Sequence, residues 1–332
     1  MSCYPGSAFS LLVKPLAKEK ICFIINPISG TRKKDSWPEI IHRNIDTSHF
    51  DIRIFFTERA GHASELARQQ VNDGVSYVVA VGGDGTVNEV ALSLRDTEAI
   101  MGIIPCGSGN GLARHLHIPL KLNDALKLIN NAYVLSIDYG IVNEKPFFCT
   151  FGVGFDAHIS HAFAMSGKRG FMTYLSIIVR KFFNYRSRKY KIKIDGEKFK
   201  TRAMMITVAN SAQYGNNGYI SPFADIADGE LDVCILRPFP KFLVAQLAIR
   251  LLSKRIQKSR YYRMIKGKKV VLKRKHEGSV HLDGEPFTMG KKLNIKIVPK
   301  GLKVLVDKKH HEIASQSPTI EGTLPPSRNI IQ

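Results

Sequence analysis

The chain has 332 residues, of which 44% are hydrophobic, and its 49 lysines and arginines against 28 acidic residues give a formal net charge of +21. This hydrophobic fraction excludes a wholly disordered chain, and the length is enough for one large domain or two of ordinary size. Five scattered cysteines disfavour a disulfide scaffold or a zinc module and predict reduced thiols in a cytoplasmic protein. No apolar run reaches the ~20 residues of a membrane span, and the first residues do not resemble a secretory signal, so neither is expected.

From Lys20 onward, short apolar runs alternate with stretches of helical apolar spacing. We predict strands over residues 20–26, 50–56, 76–83 and 100–105, and helices over 36–45, 61–74, 86–94 and 108–116. Alternation of this kind is typical of a parallel sheet that is covered by helices.

From about residue 133 the pattern changes to short alternating runs between turns, with helical segments only near 170–183 and 241–253. This predicts a mostly antiparallel β-sandwich or a distorted barrel. We therefore expect a leader over 1–19 that is poorly ordered, an α/β domain over 20–132, a β-rich domain over 133–301 and a disordered tail over 309–332. The final strand near 302–308 is a candidate to return to the first domain.

The sharpest local signal is a glycine-rich loop between a predicted strand and a predicted helix. Gly82, Gly83 and Gly85 leave room for backbone N–H groups to approach a phosphate, and the helix that begins at about Thr86 adds its partial positive charge. Asp84, inside the loop, could hold Mg²⁺ or order a nucleotide. The alternative is a tight strand–helix turn without a ligand.

Two further polar loops follow predicted strands of the same sheet, NPISG over 26–30 and PCGSGNG over 105–111. Ligands of open parallel sheets bind at the carboxyl ends of the strands, so convergence of three such loops favours a nucleotide-phosphate site. No Walker A pattern occurs. GVGFDA over 152–157 has the spelling of a dinucleotide-binding fingerprint but lies in the β-rich half, which disfavours that function.

NPISG, GGDGTVNEV and PCGSGNGLAR, in this order and spacing, resemble the diacylglycerol kinase catalytic-domain family, which includes bacterial lipid kinases and the sphingosine and ceramide kinases. GVGFDA, ADGELDV and HLDGE in the second half also match. The resemblance covers about residues 20–308. It implies an α/β nucleotide-binding domain of the NAD kinase and diacylglycerol kinase type, a β-sandwich domain for the lipid, and an active site in the cleft between them.

The resemblance also implies roles for individual residues. Glu285, in SVHLDGEPF, would be the general base that accepts the proton of the lipid hydroxyl, and Asp84 would act beside it in catalysis. Oxygen ligands in FADIADGELDV, namely Asp225, Asp228 and Glu230, would hold an auxiliary Mg²⁺. The residues expected to line the ATP site are Asn26, Pro27, Ile28, Ser29, Gly30, Thr57, Gly82, Gly83, Asp84, Gly85, Thr86, Val87, Asn88 and Ser108.

Asp-Gly-Glu occurs three times, and the three copies are not expected to share one role. Asp195–Glu197 lies within KIKIDGEKF, where Asp-Gly predicts a hairpin turn. We interpret this copy as structural. For the copies that end at Glu230 and Glu285, an acidic turn without a ligand remains the alternative.

The basic residues concentrate over 180–202 and 250–275. Each run is either a solvated face or a contact with an anionic membrane, and 258–275 is our candidate for membrane docking. Nucleic acid is the usual partner of so basic a chain, but no zinc-finger, basic-zipper or RNA-recognition motif occurs, so none is expected. A homodimer stays open.

We therefore predict an ATP- and Mg²⁺-dependent lipid kinase that associates peripherally with the membrane and converts diacylglycerol to phosphatidate, a step of phospholipid biosynthesis. A kinase for a sphingoid base or another long-chain alcohol is the first alternative, because GSGNGLA is closer to the sphingosine kinase spelling. An NAD kinase-like enzyme and a catalytically silent lipid- or nucleic-acid-binding protein are the others.

Overall fold

The structure is a computed structural model that describes residues 18–30, 34–166 and 171–308. The predicted tail over 309–332, and all but the last two residues of the predicted leader, lie outside the described residues. Among the described residues, no helix combines the length and the apolar character that are needed to cross a bilayer.

The first half alternates strands and helices, as the sequence pattern predicts. Its elements are β1 (Glu19–Ile25), α1 (Trp37–Asn44), β2 (Phe50–Phe56), α2 (His62–Asn72), β3 (Tyr77–Gly82), α3 (Asp84–Leu94), β4 (Ile100–Pro105), α4 (Gly111–His115) and α5 (Leu122–Asn130). The strands pair in parallel in the order β2-β1-β3-β4. Helices pack on both faces, so β1 and β3 are buried almost end to end.

The second half is mostly antiparallel, which confirms the predicted class. Its strands are β5 (Tyr133–Val142), β6 (Lys145–Phe147), β7 (Thr150–Gly154), β8 (Arg188–Ile194), β9 (Glu197–Ala203), β10 (Met205–Ala209), β11 (Leu231–Leu236), β12 (Tyr262–Gly267), β13 (Lys269–Lys273), β14 (Gly278–Leu282), β15 (Glu285–Met289) and β16 (Lys292–Val306). Its helices are α6 (Phe155–Met165), α7 (Phe171–Phe182) and α8 (Val244–Leu252), with short 3₁₀ turns at Lys241–Leu243 and Ile256–Lys258.

One long strand joins the two halves into a single sheet. The β16 strand pairs in parallel with β4, where Val304 faces Met101, and antiparallel with β13 and β5. The sheet order is therefore β2-β1-β3-β4-β16-β13-β8-β9, with β5 also paired to β16 and β6 paired to β5. Because β16 runs through both halves, it fixes the parallel sheet relative to the sandwich.

The sandwich core lies between this sheet and a second, six-stranded sheet of order β12-β11-β10-β7-β14-β15. Strand alternation fills it and also explains the basic runs: in β8, Ile192 and Ile194 point into the core while Lys191 and Lys193 face solvent. In the stretch 258–275 the apolar residues Tyr262, Val270 and Leu272 are buried in the same way. The basic side chains of this stretch are mostly exposed, so membrane docking by 258–275 stays a prediction.

Two predicted helix starts are wrong, and both lie at the glycine-rich loops. The helix predicted from residue 108 begins only at Gly111, because Asn110 adopts the left-handed conformation at φ +50° and its side chain closes the loop onto Gly107. The helix predicted from Thr86 begins at Asp84. Much of GGDGT is therefore the first turn of α3, which places its free N–H groups beside the other two loops.

Candidate active site

The three polar loops meet at the carboxyl ends of β1, β3 and β4. Asn26 Nδ2 donates a hydrogen bond to Thr86 Oγ1 at 3.1 Å, which ties the first loop to the start of α3. The backbone N–H of Cys106 donates to the carbonyl of Gly82 at 2.7 Å and ties the third loop to the second. The sequence-predicted nucleotide residues are thereby brought together.

Glycine is required where these loops touch. A Cβ on Gly30, which has φ +70°, would lie 2.4 Å from the carbonyl oxygen of Cys106. A Cβ on Gly107 would lie 2.8 Å from Gly83 Cα. Any side chain at these positions would push the loops apart, so the glycines set the spacing of the site.

Asp84 fastens the second loop to the third. Its Oδ2 accepts the backbone N–H of Asn110 at 2.9 Å and its Oδ1 accepts that of Gly111 at 2.7 Å. The carboxylate therefore satisfies amides at the start of α4, a position that has no side-chain cap of its own. Sequence reasoning assigned Asp84 to metal or nucleotide; the structure adds this loop-fastening contact.

The other predicted nucleotide residues differ in accessibility. Thr57 is buried, and its N–H donates to the carbonyl of Ile25. Ile28 and Ser108 are exposed, and Ser108 lines the cavity described below. Asn88 lines the same cavity, and its buried Oδ1 has no hydrogen-bond partner among the described residues.

Two residues that support the site were missed by the sequence analysis. Glu89 accepts the N–H groups of Gly61 and Ala63, at 2.8 and 3.1 Å, and so caps α2 from the neighbouring helix. The buried ammonium of Lys34 donates to the carbonyl of Ser29, and burial lowers the pKa of this lysine. Neither contact has a local sequence signal. The partners of Glu89 are 26–28 residues away in the chain, and Lys34 contacts a residue of a loop.

Glu285 lies across from the phosphate loop, at the turn between β14 and β15. A Cβ on Gly85 would be 4.0 Å from Glu285 Oε1, so the carboxylate reaches the first turn of α3. Partial desolvation there, followed by the negative charges of Asp283 and Glu89, raises the pKa of Glu285 above its ordinary value. A carboxylate with a raised pKa is a better proton acceptor, as general-base work requires.

Asp283 holds this turn in place. Its carboxylate accepts the N–H groups of Phe148, Cys149 and Thr150 at 2.7–2.8 Å, which ties the β14–β15 turn to the loop before β7. Burial nevertheless raises the pKa of Asp283, because desolvation outweighs the three hydrogen bonds. We interpret Asp283 as a positioning residue for Glu285.

A single cavity of about 540 Å³ connects these groups to an apolar interior. Asp84, Asn88, Ser108 and Glu285 line one part of it. The rest is lined mainly by apolar side chains of α6, α7, α8 and the adjoining strands. These include Phe155, Ile159, Phe163, Ile178, Phe182, Met204, Met205, Phe239, Leu247 and Leu251.

A buried polar cluster faces the same cavity. Asp156, in GVGFDA, accepts the hydroxyl of Thr207 at 2.8 Å, and His281 Nε2 lies 3.3 Å from the same carboxylate. Tyr214 OH is 2.5 Å from the Thr207 hydroxyl. The strand before Asp156, β7, pairs antiparallel with β10 and β14, so GVGFDA is not part of a βαβ dinucleotide unit, in agreement with the sequence analysis.

An ammonium group already occupies the acidic segment that was predicted to hold an auxiliary Mg²⁺ through side chains, backbone carbonyls or water. Lys266 Nζ lies 2.5 Å from Asp228, 3.4 Å from the buried carboxylate of Asp232 and 3.9 Å from Glu230. Within the described ranges, no group of three or more histidine, cysteine or acidic residues could hold a metal ion. An ammonium group therefore already neutralises this acidic segment, while Asp225 accepts the nearby N–H of Ala227.

The Asp-Gly-Glu copy over Asp195–Glu197 forms the predicted hairpin turn between β8 and β9, which confirms the structural interpretation. Asp195 and Gly196 both have positive φ, at +44° and +107°. The Asp195 carboxylate accepts the N–H groups of Lys268 and Lys269. This turn therefore contacts the start of β13 and the residue before it, and it is not among the segments that line the cavity.

Comparison with known families gives two matches that together span most of the chain. A model described as the diacylglycerol kinase catalytic domain matches residues 20–142, and one described as the YegS C-terminal NAD kinase beta sandwich-like domain matches residues 150–306.

Individual relatives agree with these matches. A protein of Chromohalobacter salexigens named "probable lipid kinase YegS-like" is 28% identical over 245 residues, which cover 72% of this chain and 78% of that protein. A Pseudomonas putida protein of the same name is 30% identical over 201 residues, covering 59% of this chain and 67% of its own. The crystal structure of a diacylglycerol kinase from Bacillus anthracis has the same fold, with a TM-score of 0.69, 20% identity, and coverage of 88% of this chain and 98% of that one.

Proposed function

Because this chain belongs to the diacylglycerol kinase catalytic-domain family, we propose that it is a lipid kinase that transfers the γ-phosphate of ATP to the hydroxyl of diacylglycerol and releases phosphatidate. The observation that carries the proposal is the single cavity, which has phosphate-loop residues and a carboxylate at one part and apolar side chains over the rest. Such a cavity suits a substrate with a reactive polar end and a long apolar chain.

The two halves of the chain divide the chemistry. The start of α3 and the loops around it offer backbone N–H groups and helix-dipole charge to the phosphates of ATP. Glu285 accepts the proton of the lipid hydroxyl as the oxygen forms its bond to the γ-phosphorus and ADP leaves. Glu285 Oε1 lies 4.0 Å from the position that a Cβ on Gly85 would take, and both residues line the cavity, so the base and the phosphate loop face the same space.

A magnesium ion that arrives with the nucleotide fits this site better than the acidic segment beside Lys266. Mg²⁺ bound through phosphates needs only one or two protein carboxylates, and Asp84 lines the cavity beside the phosphate loop. When bound, the ion would neutralise the negative charge of the phosphates. Asp84 would then combine two roles, since its oxygens also accept the amides of α4.

A sphingoid base or another long-chain alcohol is the second candidate substrate, and Asp156 is the observation that favours it. This carboxylate is 7% exposed and lines the cavity, and its hydrogen-bonding neighbours within the described ranges include the Thr207 hydroxyl, the His281 imidazole and the amide of Ala157. The ammonium group of a sphingoid base would pair with it.

The test is phosphorylation of a lipid panel by the purified full chain with Mg-ATP. Diacylglycerol, monoacylglycerol, ceramide and sphingosine are presented in mixed micelles, and the labelled product is identified by its mobility and mass. We expect phosphatidate as the main product. Preferential labelling of sphingosine, abolished by Asp156→Asn, would replace diacylglycerol with a sphingoid base. Labelling of none of these lipids by a folded protein that binds ATP would contradict the proposed function.

A further inference from the structure

The outer face of α8 is apolar although it is exposed to solvent. Ala245, Ala248, Ile249 and Leu252 follow the i, i+3, i+4, i+7 spacing of one helix face, and all four are exposed; Ile249 is 66% exposed. The inner face carries Leu247, which is buried. Apolar residues therefore cover both the buried face and this exposed face, while Gln246 and Arg250 occupy the remaining side, so the apolar surface of α8 is wider than its packing against the core uses.

Other exposed apolar side chains lie beside this face. Phe242, immediately before α8, is 81% exposed, and Val179 and Phe183 are exposed at the end of α7. Lys241 joins the two helices, because its Nζ donates to the carbonyl of Phe183 at 2.6 Å and lies 6.0 Å from the centre of that ring. We call this surface, formed by Val179, Phe183, Phe242, Ala245, Ala248, Ile249 and Leu252, the helical cap.

The chain around the helical cap carries only positive formal charge. Residues 233–276 contain 14 lysines and arginines and no acidic residue, and residues 157–194 contain 9 and none. An open groove adjoins it, lined by Lys200, Arg202, Arg237 and Arg260. The groove and the cavity share one chain segment: Arg237 and Pro238 line the groove, and the next residue, Phe239, lines the cavity.

The cavity reaches the surface at the helical cap. Ala248 and Leu252 are exposed and at the same time line the cavity, so the wall between the outside and the apolar interior is one helix thick there. Behind them, Phe182 and Phe239 stack with ring centres 5.7 Å apart. An apolar molecule could pass from the helical cap into the cavity without crossing a polar surface.

We propose that the helical cap docks on a lipid bilayer with anionic headgroups and that the lipid substrate enters the cavity between α7 and α8. This inference rests on the proposed function for the identity of the lipid, but the docking itself does not. Exposed apolar side chains that lie within a wholly basic surface fit the acyl boundary and the anionic headgroups of a bilayer. A nucleic acid would use the charge but leave the apolar side chains in water.

The experiment compares matched double variants of the full chain in vesicle co-sedimentation. Phe242→Gln/Ile249→Gln alters the helical cap at two exposed residues that do not line the cavity. Leu120→Gln/Val134→Gln makes the same kind of change at two exposed residues that are not part of the helical cap. The vesicles are pure phosphatidylcholine, or phosphatidylcholine with about one-third phosphatidylglycerol, at low and high salt.

We expect the wild type to bind the anionic vesicles, more weakly at high salt. The helical-cap variant should bind at least about tenfold more weakly, because two large apolar side chains no longer enter the bilayer, and the control variant should match the wild type. Phosphorylation of vesicle-embedded diacylglycerol should fall with binding, while that of a short-chain, water-dispersed diacylglycerol stays unchanged.

Two results would overturn the docking surface, and a third would separate it from the proposed function. Unchanged vesicle binding of the helical-cap variant would place the contact elsewhere. A wild-type dimer that dissociates in this variant, measured by sedimentation velocity, would assign the helical cap to a second copy of the chain. Loss of vesicle binding in the variant, together with a wild type that phosphorylates no lipid, would support docking and contradict the proposed function instead.

Discussion

Replacing Asp84 separates its loop-fastening role from any role of its charge. In Asp84→Ala, the backbone N–H groups of Asn110 and Gly111 lose their acceptor, and both residues are buried. A buried amide without a partner costs about 1–3 kcal/mol, so the free energy of unfolding should fall by about 2–5 kcal/mol. Asp84→Asn keeps one carbonyl acceptor and should lose roughly half as much.

The assay is urea denaturation of each variant, with the free energy of unfolding obtained by linear extrapolation. Asp124→Ala is the matched control, because Asp124 also lies in the first turn of a helix but is exposed. It should change stability by less than about 1 kcal/mol. Kinase activity is measured on the same samples below their unfolding transitions.

The two readouts make the interpretation refutable. If Asp84→Ala is as stable as the wild type, the two hydrogen bonds do not fasten the loops and our description of the site is wrong. If Asp84→Asn retains both most of the stability and full turnover, the charge of Asp84 has no part in catalysis. We expect substantial stability with strongly reduced turnover, because Asn cannot supply the negative charge that a phosphate-bound Mg²⁺ requires.

Three further predictions concern the carboxylates. Glu285→Gln should lower turnover by about 10²–10⁴-fold with little change in ATP binding, whereas Glu197→Gln, in the hairpin copy of the same triplet, should match the wild type in a parallel assay. Because Glu285 acts when deprotonated and its pKa is raised, kcat/KM should fall on the acid side at a pH above the 4.5 of an ordinary glutamate; a pH profile with its acid limb below that value would contradict the raised pKa. Lys266→Met should lower the free energy of unfolding by about 1–3 kcal/mol, since it leaves Asp228 and the buried Asp232 without the lysine's positive charge. Mg²⁺ should then raise the melting temperature of this variant more than that of the wild type. Equal Mg²⁺ effects on the two proteins would mean that the lysine does not stand in for a metal ion.

The parts of the fold that could be predicted are those that depend on local patterns. Alternating runs of periodicity 2 and 3.6 gave the order of strands and helices, and glycine-rich loops after successive parallel strands had to lie at one edge. The return of the final strand near 302–308 to the first domain was predicted and is confirmed by its pairing with β4. The rest of the path of β16 could not be predicted from local patterns, because its pairing with β13 is set by contacts far apart in the chain. For the same reason the sequence did not show that 258–275 contributes Val270 and Leu272 to the core.

Two of the residues that sequence reasoning missed act through distant partners. Glu89 accepts the N–H of Gly61, 28 residues earlier, at the start of α2, and Lys266 reaches across a strand pair to Asp228. The helical cap is a further case. Its apolar spacing is visible in the sequence, yet the same spacing describes a buried helix, and only the packing of α8 shows which face is left in solvent.

The three Asp-Gly-Glu copies show why spelling alone cannot assign chemistry. Asp195 and Asp283 both begin tight turns with positive φ at Asp and at Gly, and both accept backbone N–H groups of a neighbouring segment. The local structure is thus the same, and the glutamate follows in the same position. What differs is the position of each turn in the fold: the turn at Asp283 places Glu285 within reach of the first turn of α3, while the turn at Asp195 meets only β13 and the residues before it. A base is useful only where a phosphate and a hydroxyl can meet, so we expect catalysis to follow from the neighbouring parallel sheet rather than from the triplet itself.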